Sequence, residues 1–318
     1  MISLEDVRKA QERISPYIIR TPLLRVPALD DYLSCKVYIK PENLQHTGSF
    51  KLRGATNKLL ALSGDEKQYG VVSASSGNHA QGVAYSAKRL GIDAKIVMPE
   101  NCNPVKLENV KGFGADVVLY GQLSSERDKK AKEIVEKEKR TEVHPYADDY
   151  VKAGQGTIAL EILEDEPDMD IIVVPIGGGG LISGISIAAK GINQDICIVG
   201  VEPEGANRYS ESLRVGEPVT LKNVNTIADG TRTDRANPDN FEIIKKYVDN
   251  IVTAGEDDIR KAMKLLVEKA KIVAEPSSSL GIGAASRNSL NVRSDDKVCF
   301  VISGGNNDLK LLSEILSN

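Results

Sequence analysis

A lysine directly follows Gly48, Ser49 and Phe50 in the stretch TGSFKLRGA, residues 47–55. Read alone, a solitary lysine is surface decoration; only if Lys51 is buried would its surroundings disfavour the ammonium form and leave a neutral amine. Two further stretches are suited to anions. In SASSGNH, residues 73–79, a β-branched run breaks into a Ser-Ser-Gly-Asn turn, and a helix opening at Asn78 would offer its free first-turn amides to a carboxylate. In PIGGGGLISG, residues 175–184, Gly177, Gly178, Gly179 and Gly180 let the backbone approach a phosphate, and the following helix adds its positive end. That run matches neither GxGxxG nor GxxxxGK[ST], which disfavours a dinucleotide fingerprint and a P-loop. A third polar strand end, ISGGNND at residues 302–308, carries Ser303 and Asn306. Each feature also has a plain structural reading: a tight turn for the glycines, a helix cap for Ser75 and Ser76, a core histidine for His79.

The elements that position these residues follow a regular rhythm. KVYIKPE, GVVSAS, AKIVMP, ADVVLYG, DIIVVPIGGGG, CIVGVEPE and DKVCFVISGG read as strands. Between them NHAQGVAYSAKRLG, PVKLENVKGFG, SSERDKKAKEIVEKEKR, GLISGISIAAKG and EDDIRKAMKLLVEKAK carry apolar residues near helical spacing. The alternation predicts an α/β fold with mostly parallel open sheets, and ligands in such folds bind at the carboxyl ends of the strands. A length of 318 residues with 41% hydrophobic content suggests two domains.

Lysine and arginine total 41 against 45 acidic residues, a net charge of -4, so no nucleic-acid partner is expected. Cys35, Cys102, Cys197 and Cys299 stand far apart with no CxxC pair, which suits a reducing cytoplasm rather than a disulfide framework or zinc site. No apolar run approaches a membrane span, and the N-terminal MISLEDVRKAQERI is a charged amphipathic segment rather than a signal peptide.

Taken together, TGSFKLRGA, SSGNHAQGVA, AGQGTIALEI, VPIGGGGLISG, TIADGT, AEPSSSLGIGA and ISGGNNDL resemble, in order and spacing, the fold type II pyridoxal phosphate enzymes. The resemblance is specifically to the threonine/serine dehydratase and serine racemase family, and it runs nearly end to end. It implies a tryptophan synthase beta-like fold in which residues 70–147 form a small mobile domain. Residues 1–69 and 148–318 would then form the large cofactor-binding domain, with pyridoxal 5'-phosphate in the cleft between the two. By the same resemblance Lys51 condenses with the cofactor aldehyde and Phe50 lies against its ring. Gly177, Gly178, Gly179 and Gly180 hold its phosphate, Asn78 meets the ring hydroxyl and Ser303 the pyridine nitrogen. The turn formed by Ser75, Ser76, Gly77, Asn78 and His79 receives the substrate carboxylate.

A serine at the ring nitrogen cannot protonate it as a carboxylate would, so the ring is a weaker electron sink and β-elimination is expected over transamination. The expected activity is that of a threonine/serine ammonia-lyase acting on L-threonine and L-serine in a homo-oligomer, with Lys51 as base. Racemisation requires a second acid/base on the opposite face. In the racemases a serine of this turn supplies it, and Ser76 stands at that position, so serine racemase and 3-hydroxyaspartate dehydratase remain alternatives. Tyr146 resembles the aromatic residue of dehydratases instead of the asparagine of eukaryotic racemases, while Glu275 matches a glutamate near the racemase cofactor. The racemases' divalent metal site would correspond here to Glu202 and Ala206. Its remaining carboxylate position is Arg208, a cation, so a divalent cation is left open. Only residues 307–318 follow Asn306, leaving no room for the regulatory domain of biosynthetic threonine dehydratases, and isoleucine feedback is not expected. A β-replacing synthase and a non-catalytic small-ligand binder are the alternatives from other classes.

Overall fold

The computed structural model describes residues 1–317 other than Ser76, Asn103 and Leu123. Its strands are β1 (Leu24–Arg25), β2 (Lys36–Pro41), β3 (Val71–Ala74), β4 (Ala94–Met98), β5 (Asp116–Leu119), β6 (Thr141–Glu142), β7 (Ile171–Pro175), β8 (Cys197–Pro203), β9 (Asn250–Ala254) and β10 (Lys297–Ile302). The helices up to the middle of the chain are α1 (Leu4–Ile14), α2 (Asp30–Leu33), α3 (Lys51–Leu60), α4 (Gly64–Tyr69), α5 (Asn78–Leu90), α6 (Pro104–Gly112), α7 (Ser124–Glu138) and α8 (Asp149–Asp165). There follow α9 (Gly180–Ile192), α10 (Arg208–Val215), α11 (Pro238–Tyr247), α12 (Glu256–Leu265), α13 (Leu280–Ser286) and α14 (Leu309–Ser317).

Strands β7 and β10 are continuous apolar runs because both of their faces are covered. Ile171, Val173, Val298, Phe300 and Ile302 enter one core with residues of α12 and α13, while Ile172, Val174, Cys299 and Val301 enter another with residues of α8 and α9. The six-stranded sheet runs β1-β2-β10-β7-β8-β9. All its pairings are parallel except β1 with β2. A second, four-stranded sheet of order β5-β4-β3-β6 is parallel throughout. One face of it shares a core with α5 and with Ala55 and Leu59 of α3. No described helix is long and apolar enough to cross a membrane. All four cysteines are free.

Helix α8 is buried from Val151 to Leu163, which accounts for its lack of an amphipathic stripe. Its glycines permit close backbone approach. A Cβ on Gly154 would lie 2.7 Å from the Arg53 carbonyl oxygen of α3, and one on Gly184 of α9 would lie 2.2 Å from the Lys152 carbonyl oxygen.

Between β2, α3 and α8 lies a buried charge network. Arg53 donates to Glu42 through Nε at 2.8 Å and to Glu161 through Nη1 at 2.6 Å, and Lys40 Nζ donates to Glu161 at 2.6 Å and to the Thr21 carbonyl at 2.6 Å. Glu42 also accepts from the Thr21 hydroxyl at 2.7 Å. Two cations face two carboxylates, all of them buried. Arg53 holds the Glu42 carboxyl below its usual range against the opposing effect of burial. Arg53→Met would leave two carboxylates short of partners, and we expect it to lower unfolding free energy by about 3–5 kcal/mol, read from a urea midpoint at unchanged slope.

Candidate active site

The carboxyl ends of β2, β3, β7 and β10 converge, and the segments bearing Lys51, Asn78, Glu275, the glycine turn and Ser303 meet there. After β10 the chain bridges back to the segment before α3: Phe50 N–H donates to the Ser303 carbonyl at 3.0 Å, and Ser49 pairs with Gly304. These contacts bring Ser303 beside Phe50 and Lys51. Lys51 is the first residue of α3, where the helix dipole disfavours a cation. Its Nζ donates to the Pro145 carbonyl at 2.7 Å and lies 5.1 Å from the centre of the Phe50 ring. Burial pulls its pKa down from the ordinary lysine value to about 8, with the Glu275 carboxylate opposing.

Asn78 opens α5 and ties the two sheets' loops together. Its Nδ2 donates to Glu275 Oε1 at 2.8 Å, and its Oδ1 accepts from Asn306 Nδ2 at 2.8 Å. Glu275 is buried beside it, and desolvation foremost, then the charge of Asp229, pushes its pKa up to about 8. Asp229 in turn accepts from Lys106 of α6 at 2.5 Å, an ion pair that links the segment bearing the second sheet to the loop before α11. Ser303 lies within 3.0 Å of the Ser278 hydroxyl, which itself contacts the Gly304 carbonyl at 2.7 Å.

The Ser75–His79 turn is only partly described, since Ser76 lies outside the described residues. Gly77 N–H donates to Ser75 Oγ at 3.4 Å. His79 is buried, with Nε2 2.9 Å from the Val143 carbonyl, which makes Nε2 the protonated nitrogen. Burial, with Lys51 nearby, depresses its pKa to about 3. At the helix start His79 presents its backbone N–H, and its ring Nδ1 is a buried acceptor with no hydrogen-bond partner among the described residues. His46 stacks on Tyr85 with ring centres 5.5 Å apart, and His144 Nδ1 accepts from the Ala147 amide at 3.0 Å.

The glycine turn packs tightly on Tyr146, next to the residue that holds Lys51. A Cβ on Gly178 would meet the Tyr146 ring at 2.2 Å, and Gly179 sits at φ +87°, a conformation that favours glycine. Tyr209 Oη donates to the Gly178 carbonyl at 2.9 Å and Asn240 Nδ2 to the same oxygen at 2.7 Å. Sequence reasoning missed Pro145, which acts through its carbonyl, and Tyr209 and Asn240, which reach the turn from distant segments with no local signal. At the other side of the turn, the Arg208 guanidinium lies 3.5 Å from Glu202 and donates to the Ala206 carbonyl at 2.5 Å. Glu202 accepts from the amides of Tyr209 and Ser210 and from the Ser210 hydroxyl. Among the described residues no group of three or more His, Cys, Asp or Glu side chains is placed to hold a metal ion.

The cleft thus joins a deprotonatable amine to a glycine turn at a helix start and to a hydroxyl at a strand end, a set that fits an aldehyde-bearing aromatic phosphate. Comparison with known proteins points the same way. Residues 14–304 match the family model described as pyridoxal-phosphate dependent enzyme. An L-threonine ammonia-lyase of Thermotoga maritima is 44% identical over 317 residues, covering 100% of this chain and 79% of that protein. The structure of maize serine racemase superimposes with a TM-score of 0.94 at 38% identity, covering 99% of this chain and 97% of that one. The processed form of threonine deaminase isoform 2 from Solanum lycopersicum gives a TM-score of 0.93 at 36% identity, covering 99% of this chain and 87% of that one.

In protein stripped of pyridoxal phosphate, labelling of Lys51 by an amine-directed reagent, followed by peptide mass spectrometry, should rise with pH to a midpoint near 8 and then level, while surface lysines keep rising toward their ordinary range of about 10.4. Because the Glu275 carboxylate supports the ammonium, Glu275→Gln should move that midpoint down. A midpoint near 10 in the unaltered protein contradicts the assignment.

Proposed function

Because this chain belongs to the pyridoxal-phosphate dependent enzyme family, we propose that it is a threonine/serine ammonia-lyase, converting L-threonine and L-serine to a 2-oxo acid and ammonia by β-elimination. Pyridoxal 5'-phosphate is its cofactor. When bound, the cofactor supplies an aldehyde that joins to an amine and a conjugated ring that draws electrons from the substrate Cα.

The residues of this chain divide the remaining work. Lys51 would hold the cofactor through its amine and, when free, would serve as base toward the substrate Cα proton; a pKa of about 8 leaves about a tenth of the amine neutral at pH 7, far more than an ordinary lysine. Phe50 would lie against the ring, and Gly177, Gly178, Gly179 and Gly180, at the start of α9, would supply amides to the phosphate. Asn78 would meet the ring hydroxyl and Ser303 the ring nitrogen. The amides of the Ser75–His79 turn at the start of α5 receive the substrate carboxylate. Ser303 is a neutral hydroxyl next to another hydroxyl, Ser278, so the ring nitrogen meets no strong acid from these two groups and loss of the β-hydroxyl is favoured over transamination. The observation that carries this reading is the shared cleft of Lys51 and the glycine turn, joined through Pro145 and Tyr146.

Residues 70–147, which hold the whole second sheet, move as a small domain over this cleft, and residues 1–69 and 148–318 form its frame. Free, widely spaced cysteines support a cytoplasmic setting, and the enzyme works as a homo-oligomer.

A second reading is favoured by the likeness to maize serine racemase and by the identity of Ser76. Ser76 would act as acid/base on the face opposite Lys51 and give D-serine beside the eliminated product. Activity on 3-hydroxyaspartate belongs to the same set of substrates to be ranked.

Incubation with L-threonine should yield 2-oxobutanoate and ammonia in equal amounts, and Lys51→Ala should lower the rate about 10³-fold or more. Faster conversion of O-acetylserine and sulfide to cysteine would overturn the lyase reading. Chiral chromatography of L-serine incubations decides the second reading: D-serine that vanishes in Ser76→Ala supports it, and D-serine unchanged in that variant removes Ser76 from the role.

A further inference from the structure

The glycine turn is gripped by its carbonyls. Arg208 Nη2 donates to the Ile176 carbonyl at 3.0 Å and also to that of Gly177, while Tyr209 and Asn240 hold the Gly178 carbonyl. No peptide in the described chain is cis. In a trans peptide the C=O and the following N–H point in opposite directions. Holding the carbonyls of residues 176, 177 and 178 outward therefore turns the amides of Gly177, Gly178 and Gly179 toward the opposite side. None of these amides donates in the turn and loop hydrogen bonds among the described residues.

Of the three gripping side chains only Arg208 is charged, and it is fully buried. Burial works against both its charge and that of Glu202, yet a guanidinium does not give up its proton in a protein. Its Nε has no hydrogen-bond partner. A buried ion pair contributes little net stability over an apolar pair, so fold stability alone does not account for it.

We propose that Arg208 is the positioning residue and resident cation of the phosphate cradle. Its planar fork fixes two carbonyls of the turn so that the amides of Gly177 and Gly178 converge on the phosphate. Its positive charge, seated directly behind those amides, favours the phosphate dianion over the monoanion. This inference rests on the reading of the glycine turn given under the proposed function.

The test compares equilibrium binding of pyridoxal 5'-phosphate with that of pyridoxal, which lacks the phosphate, followed by visible absorbance, and adds a phosphorus NMR pH titration of the bound phosphate. Arg208→Met should weaken pyridoxal 5'-phosphate binding about tenfold to a hundredfold and leave pyridoxal binding within about twofold. Its bound phosphate should titrate at higher pH than in the unaltered protein. Tyr209→Phe removes a neutral grip and should leave that titration in place. Arg208→Lys keeps the charge without the fork and guards against misfolding of the methionine variant: it should weaken binding while the phosphate stays dianionic as in the parent. Equal losses for both ligands, or a phosphate titration that ignores loss of the charge, overturn the inference. An unaltered protein that takes up no pyridoxal 5'-phosphate sinks the functional reading itself, whereas parent and Arg208→Met binding it equally well sinks only this one.

Discussion

The cleft depends on the charge network of Lys40, Glu42, Arg53 and Glu161, because that network is what fixes the start of α3. Arg53 lies two residues past Lys51, and its guanidinium is shared between Glu42, just after β2, and Glu161, near the end of α8. The sheet, the helix bearing the amine and the long buried helix behind it are thereby locked to one another by direct side-chain contacts. Ionic groups are suited to this because their hydrogen bonds are directional where apolar packing is not, and each carboxylate here meets more than one donor. The glycines of α8 and α9 complement the network by letting the backbones approach until such short bonds can form.

Inside the cleft the trend in charge is toward neutrality. Lys51 is depressed to about 8, His79 to about 3 and His144 to about 4, while Glu275 is raised to about 8, in every case with burial as the leading cause. His79, His144 and Glu275 are thus held largely uncharged near neutral pH, whereas Lys51 stays mostly protonated there and carries a larger neutral fraction than an ordinary lysine. On the proposed function, negative charge entering the cleft would be met by backbone amides at the starts of α5 and α9. Formal cations stand at the margins: Lys106 is held by Asp229 and Arg208 by Glu202.

Much of this was legible in the sequence. The seven strands read from β-branched runs are β2, β3, β4, β5, β7, β8 and β10, the interior of both sheets and one edge. The unread ones are β1 and β6, only two residues each, and β9, an edge strand whose residues are mostly half exposed. Helices α3 and α8 escaped because burial on nearly all sides erases the polar face that marks a helix. At the site, the glycine turn and the polar end of β10 stand out in local composition, whereas Lys51 is an ordinary lysine by its letter and it and Ser303 take their proposed roles from the family resemblance. The network behind α3, the Pro145 carbonyl and the Tyr209–Asn240 grip do not, since each is a long-range pairing of residue types that are ordinary in isolation. Ser76 has a chemical meaning only through its neighbours in space, and its letter alone leaves two activities open.

The position of β10 has a consequence for how the molecule comes into being. This strand, residues 297–302, is wedged between β2 and β7, partners that were laid down far earlier in the chain. Until it emerges from the ribosome, β2 and β7 have no common neighbour, and Phe50 has no Ser303 carbonyl to bond. The nascent polypeptide therefore waits with two apolar sheet edges uncovered, and the pocket closes only once this late strand has been made.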